Sequence, residues 1–288
     1  MALKASTTMT LNLKSSAISV FSYPKVNLAL DVCARDVSGY HEILTIFHEL
    51  KSPCDELIIE ECDGEGIEVT CDNPRLPTDE TNTVTKAAKL LQAQMDVKKG
   101  AKIFIKKKIP LMSGLGGGSS NAVAALKGLV QLWGIKCCDI VLGIHRNDCI
   151  LKSLSAQIGM DCPFFFNGGT ALGSHFGERL VEMPLPPKEI KFEIIETGVE
   201  ISSHDAYNQI DLQKCGRNIA KTKSLMAALR ACDSQKIMEN LHNDFEDFVF
   251  AKYPKLLEIK QKIESEKSGR VLLCGSGGAL VRVFVREA

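Results

Sequence analysis

The stretch Pro110-Leu-Met-Ser-Gly114-Leu-Gly-Gly-Gly118-Ser-Ser120 constrains the fold more than any other part of the chain. Four of the five residues from Gly114 to Gly118 are glycine, so the backbone there can adopt positive φ and let its amides approach a ligand closely. Before the loop, Ala101 to Ile105 alternates like a strand. After it, Ala122, Ala125, Leu126, Leu129 and Trp133 recur at helical spacing up to Gly134. A glycine-rich turn from a strand into a helix start, with Ser119 and Ser120 beside it, presents unpaired amides and the positive end of a helix dipole. That arrangement suits an anion, phosphate above all. An ordinary strand-to-helix turn with a serine cap needs one or two glycines, not four.

Other phosphate-binding signatures fail on inspection. A Walker loop requires Gly-Lys-Ser/Thr where this chain has Gly118-Ser119-Ser120. A dinucleotide fingerprint requires a third glycine where Ser119 stands. His145-Arg146-Asn147-Asp148 has its aspartate displaced by one residue from a protein-kinase catalytic loop, and no Asp-Phe-Gly follows. The loop by itself indicates a nucleotide and no more.

At 288 residues the chain has room for two lobes. Lysine plus arginine and aspartate plus glutamate number 35 each, so no net field draws it to nucleic acid or an anionic membrane. The 11 cysteines are odd in number, dispersed and never spaced as Cys-x-x-Cys, which predicts free thiols and no structural metal. No apolar run approaches the ~18 residues of a membrane-spanning helix. The first thirty residues contain no acid and several hydroxyls, and Met9, Leu11 and Leu13 alternate like a strand. We expect a cytoplasmic protein, or one of the plastid stroma if that extension is a transit peptide.

Strand-like Val26 to Leu30 precedes Gly39, and the strands Glu56 to Glu61 and Gly66 to Cys71 are expected to form a hairpin about Asp63-Gly64. Val84, Ala87, Ala88, Leu91 and Met95 predict a helix, as do Thr222 to Leu229 and Tyr253 to Ile263. Phe192 to Ile195 reads as a strand, and Arg270 to Val285 as two strands about Gly275 to Gly278. Strands and helices mixed without strict alternation predict an α+β fold.

The loop resembles the phosphate loop of the GHMP kinases, and four further segments resemble that superfamily in order. They are Pro24-Lys25-Val26-Asn27-Leu28, Gly39-Tyr40-His41-Glu42, Ile158-Gly159-Met160-Asp161-Cys162-Pro163-Phe164-Phe165 and Cys274-Gly275-Ser276-Gly277-Gly278. Together they most resemble the branch that phosphorylates the 2-hydroxyl of diphosphocytidyl-methylerythritol in the non-mevalonate route to isoprenoids. One departure stands out: Pro24 directly precedes Lys25 where the family has a small residue.

The resemblance implies a two-lobed fold, with a lobe like domain 2 of ribosomal protein S5 over residues 1–165 and a ferredoxin-like lobe over 166–288. It implies Lys25 and Asp161 as the catalytic pair. Without it, Asp161 would read as a turn or cap aspartate before Pro163. It implies ATP held by Pro110, Leu111, Met112, Ser113, Gly114, Leu115, Gly116, Gly117, Gly118, Ser119 and Ser120, with Asn82 at the adenine and Lys107 at the rim. Mg²⁺ would arrive with ATP and touch Ser120. Asn27, Tyr40, His41 and Tyr207 would bind the substrate, the aromatic residues at its cytosine. The expected partner is this small molecule, with no nucleic acid or membrane, on a monomer or weak homodimer. Two other readings stay open: a GHMP kinase for another small alcohol such as homoserine or mevalonate, and a nucleotide-binding module without catalysis.

Overall fold

The computed structural model describes residues 17–136 and 150–286. The strand pattern at Met9 to Leu13 and the His145-Asp148 segment lie outside them. The first part of the chain forms strands β1 (Ile18–Ser22), β2 (Lys25–Arg35), β3 (His41–Glu49), β4 (Asp55–Cys62) and β5 (Ile67–Cys71), then helix α1 (Thr83–Met95), strand β6 (Gly100–Lys106) and helix α2 (Gly117–Leu132). Next come α3 (Ile150–Ala156), α4 (Phe164–Asn167), β7 (Thr170–Ser174), β8 (Arg179–Met183), β9 (Ile190–Ile195) and α5 (Ser203–Gln209). The remainder is α6 (Ile219–Arg230), α7 (Ser234–Asn240), β10 (His242–Asn243), α8 (Glu246–Lys252), α9 (Pro254–Glu266), β11 (Arg270–Leu273) and β12 (Leu280–Val285). The α+β expectation holds.

The strands form three sheets in the orders β1-β4-β6-β5, β10-β2-β3-β7-β8 and β11-β12-β9. The expected hairpin of β4 with β5 is not formed. β6 lies between them, antiparallel to β4 and parallel to β5. The reason is burial: the β5-α1-β6 crossover lays Val84, Ala87, Ala88 and Leu91 on the sheet, where all are fully buried, whereas a simple hairpin would leave that helical face without a partner. Gly100 makes the insertion sterically feasible, since a Cβ there would lie 2.6 Å from the Gly66 carbonyl oxygen.

The middle sheet takes strands from both sides of residue 165: β2 and β3 pair with each other, β7 and β8 extend the sheet beyond β3, and β10 runs parallel to β2. It separates a core under α1 and α2 from cores built with α6 and α9. Strand β2 is buried on both faces from Lys25 to Val32. Its polar residues Lys25 and Asn27 are therefore interior groups that need partners. Pro24 fits this setting, because its carbonyl accepts from Leu50 N–H while Lys25 N–H donates to the Leu115 carbonyl.

Candidate active site

Helix α2 begins without a side-chain cap. Its N-cap is Gly116 at φ 71°, and Ser120 N–H is the first amide to bond back, to the Gly116 carbonyl at 2.9 Å. The amides of Gly117, Gly118 and Ser119 precede the helical ladder and open at a cleft of about 1090 Å³. The loop is braced from behind by the turn after β11. Gly278 N–H donates to the Met112 carbonyl and Ala279 N–H to the Ser113 carbonyl. Backbone lies so close to backbone that a Cβ on Gly114 would sit 1.6 Å from the Cys274 carbonyl oxygen.

Opposite the helix start, Lys25 Nζ lies 3.3 Å from Asp161 Oδ2. The lysine is 4% exposed, and the aspartate side chain is 32% exposed toward the cleft. Lys25 also donates to Asn27 Oδ1 at 2.9 Å and sits 5.4 Å from the centroid of the Phe47 ring. A relay fixes the Asn27 amide. The Thr45 hydroxyl donates to the Ala29 carbonyl, so it must accept from Asn27 Nδ2, and the amide oxygen is left facing the lysine. Thr45, fully buried on β3, is a site residue that sequence reasoning missed; only the pairing of β2 with β3 brings it there.

Asp161 stands in the turn before α4, whose start is set by Pro163. Lys127 of α2 reaches across to the Phe165 and Phe166 carbonyls at 2.9 and 3.0 Å, tying that turn to the loop helix. Burial pulls the Lys127 ammonium down to about 8. Behind Asp161, burial pushes the Cys162 thiol up to about 12, so it is inert.

Not every expected residue faces the cleft. Ser119 does, and Ser120 does not. Ser120 is buried and its hydroxyl meets Ser22 Oγ at 2.8 Å. Ser22 spends its own proton on Asn121 Oδ1 at 2.6 Å, so Ser120 is the donor of that pair. One step of roughly 100° around the helix turns Ser120 inward, which removes it as a metal contact; Asn121 lines the cleft instead. Leu115 is fully buried behind the loop. Asn82 borders the cleft, but its side chain caps α1 by accepting from Val84 N–H at 2.8 Å and donating to the Pro77 carbonyl. It is thereby committed to structure.

Lys107 lines the cleft but is not solvated. Its ammonium is buried and lies 2.5 Å from Asp55 Oδ2, and a Cβ on Gly117 would sit 3.3 Å from it. Burial holds this lysine below its usual range, opposed by Asp55. Asp55 also accepts from Lys108 and Ile109 N–H, both at 2.7 Å. A buried lysine–aspartate ion pair thus lies beneath the glycine loop.

At the other end of the cleft, the His41 ring lies 5.2 Å from Tyr207, and Tyr40, half exposed, lies 5.3 Å from Phe176. Burial and then the Arg35 charge hold His41 below its ordinary value, which favours its neutral form. Burial raises the Tyr207 phenol, and the Asp161 charge adds to that. Arg75 and Glu200 form an ion pair of 2.6 Å between the loop after β5 and the loop before α5. Among the described residues no group of three or more His, Cys, Asp or Glu gathers to hold a metal.

An uncapped glycine-rich helix start thus faces a lysine–aspartate pair across one cleft, the arrangement expected of a kinase of the GHMP class. In keeping with it, residues 82–169 match the family model described as GHMP kinases N terminal domain. The chain is 33% identical over 266 residues to a 4-diphosphocytidyl-2-C-methyl-D-erythritol kinase of Caldicellulosiruptor saccharolyticus, covering 92% of this chain and 88% of the relative. It is 34% identical over 270 residues to the enzyme of that name from Shouchella clausii, covering 94% and 86%. A crystal structure of a 4-(cytidine 5'-diphospho)-2C-methyl-D-erythritol kinase superposes with TM-score 0.73 at 27% identity, over 92% of this chain and 90% of the other. A homoserine kinase from Cytophaga hutchinsonii superposes equally well, with TM-score 0.73 over 97% of this chain and 88% of the other, but at 21% identity it shares the fold alone. The chain belongs to the 4-diphosphocytidyl-2-C-methyl-D-erythritol kinase family.

Proposed function

We propose that the protein transfers the γ-phosphoryl group of ATP to the 2-hydroxyl of 4-diphosphocytidyl-2-C-methyl-D-erythritol. The observation that carries the reading is the Lys25–Asp161 pair, 3.3 Å apart, set across the cleft from the uncapped start of α2. Phosphoryl transfer depends chiefly on positioning and on neutralising charge. The amides of Gly117, Gly118 and Ser119 receive the nucleotide phosphates, with the buried Lys107–Asp55 pair bracing the loop beneath them. Asp161 takes the proton of the attacking hydroxyl, and Lys25, held by Asn27, stabilises charge on the group in flight.

Mg²⁺ bound to the nucleotide would supply further neutralisation of the phosphate charge. With no protein cage among the described residues, it would be carried by phosphate oxygens, with Asp161 and Ser119 the oxygen donors at hand. In its neutral form His41 offers one donor and one acceptor to a pyrimidine edge, and Tyr40 and Tyr207 offer aromatic surface. Among the described residues no helix is long and apolar enough to cross a membrane. We expect a monomer or weak homodimer in the cytoplasm, or in the plastid stroma if residues 1–16 direct it there.

Purified protein with Mg-ATP and a panel of alcohols tests the reading. Turnover of the cytidine-bearing alcohol and rejection of homoserine and mevalonate are expected. Phosphorylation of either of those two with rejection of the cytidine compound would refute it, and nucleotide binding with no turnover of any alcohol would favour a non-catalytic module.

A further inference from the structure

We propose that Phe176, in the turn between β7 and β8, is a specificity-determining residue for the base-bearing end of the substrate, acting by holding the Tyr40 ring at the cleft face. The proposal rests on the reading of the site given above. Tyr40 leads into β3 from an exposed loop, and half of its surface is open to solvent. Its ring is in contact with Phe176, at 5.3 Å between centroids and 34° between planes, and both residues line the cleft. The Phe176 ring in turn lies 3.8 Å from that of His175, so three rings run in a row from the β7–β8 turn to the cleft.

That turn is built to hold its shape. Glu178 accepts from Phe176 N–H at 2.9 Å through Oε2, and its Oε1 lies 2.6 Å from His175 Nδ1. His175 has φ 63°, a left-handed conformation uncommon for a residue with a Cβ. Its carbonyl accepts from Ile43 N–H at 2.7 Å, which ties the turn to β3 two residues beyond His41. Gly177, at φ 106°, is packed so closely that a Cβ would lie 3.2 Å from Ile43 Cδ1. The turn is therefore registered to the strand that carries His41, and it presents an apolar ring under an otherwise loosely held tyrosine.

A planar heteroaromatic base gains from stacking on a ring already oriented, because the ordering of that ring is complete before binding. Aromatic pairs contribute enough beyond their buried area to change affinity by up to about tenfold. The polar atoms that carry out phosphoryl transfer are elsewhere, at Lys25 and Asp161, so Phe176 should act on substrate affinity and leave the chemical step unchanged.

Steady-state kinetics of Phe176→Ala, Phe176→Leu and Phe176→Tyr, with Mg-ATP and the cytidine-bearing alcohol, test this. Phe176→Ala is expected to raise the KM for that alcohol about tenfold, with kcat and the KM for ATP within about twofold of wild type; Phe176→Tyr, which keeps the ring, is expected to restore it. Phe176→Leu keeps the apolar volume and carries the test if the alanine variant fails to fold. Equal KM values for wild type and the leucine or alanine variant, or a parallel rise in the KM for ATP, would overturn the inference while leaving the proposed function standing. Absence of wild-type turnover would refute the proposed function, and this inference with it.

Discussion

Two glycines of the phosphate loop should respond in opposite ways to the same substitution. Gly114 has φ 80°, and a Cβ there would stand 1.6 Å from the Cys274 carbonyl oxygen and 2.8 Å from Gly277 N. These are backbone atoms that cannot rotate away, so Gly114→Ala must push the loop off the turn after β11. The left-handed conformation costs an alanine about 1–2 kcal/mol, and forced displacement of packed backbone adds roughly 1–3 kcal/mol. A total of about 2–5 kcal/mol corresponds to a Tm lower by roughly 3–8 °C for a chain of 288 residues.

Gly118 lies in the first turn of α2, where a Cβ would meet only the Thr83 side chain, 3.4 Å from its hydroxyl and 3.9 Å from its methyl. Gly118→Ala should leave Tm unchanged or raise it slightly, since alanine is favoured over glycine in a helix by up to about 1 kcal/mol. Its methyl group lies at the cleft, so the KM for ATP should rise. Thermal unfolding without ligand, and again with Mg-ATP, separates the two. A Gly114→Ala protein with wild-type Tm and kcat would show that the loop and the C-terminal turn are not coupled as described.

Three further outcomes follow from the same geometry. Asp161→Asn should lower kcat by about 10²–10⁴ with little change in Tm, and a variant with wild-type turnover would remove Asp161 from the mechanism. Ser119→Ala should raise the KM for ATP, whereas Ser120→Ala should leave it alone and cost only about 0.5–1.5 kcal/mol for the lost bond to Ser22; the reverse pattern would mean that α2 starts in a different rotation. Burial holds the His48 imidazole, which lies 2.8 Å from Thr170 Oγ1, down to about 4 against an ordinary 6.5. Between those values the unfolded chain binds the extra proton, so stability is full above pH 6.5 and falls on acidification at ~1.4 kcal/mol per pH unit, by at most ~3 kcal/mol. Denaturant midpoints for wild type and His48→Gln across this range check it: the substitution should flatten the slope, and an unchanged slope would place the titration elsewhere.

Much of the site is written in local sequence. Glycine spacing, a strand before it and a helical period after it are properties of neighbouring residues, and they specify the anion-binding helix start. Lys25 and Asn27, two apart on β2, share a face by strand geometry alone. Other features depend on contacts that sequence spacing does not contain. Asp63-Gly64 favours a turn, yet β4 and β5 are parted by β6, because the β5-α1-β6 crossover buries the apolar face of α1. Ser119 and Ser120 are chemically alike and adjacent, but the packing of α2 on β1 points one hydroxyl at the cleft and the other at Ser22. Lys107, in a run of three lysines, is buried against Asp55, 52 residues earlier, which pairs with it. The amino-acid sequence determined which segments could bind a phosphate and bear the reacting groups. The tertiary structure decided which of their side chains face the ligand, because burial and pairing are settled between segments far apart in the chain.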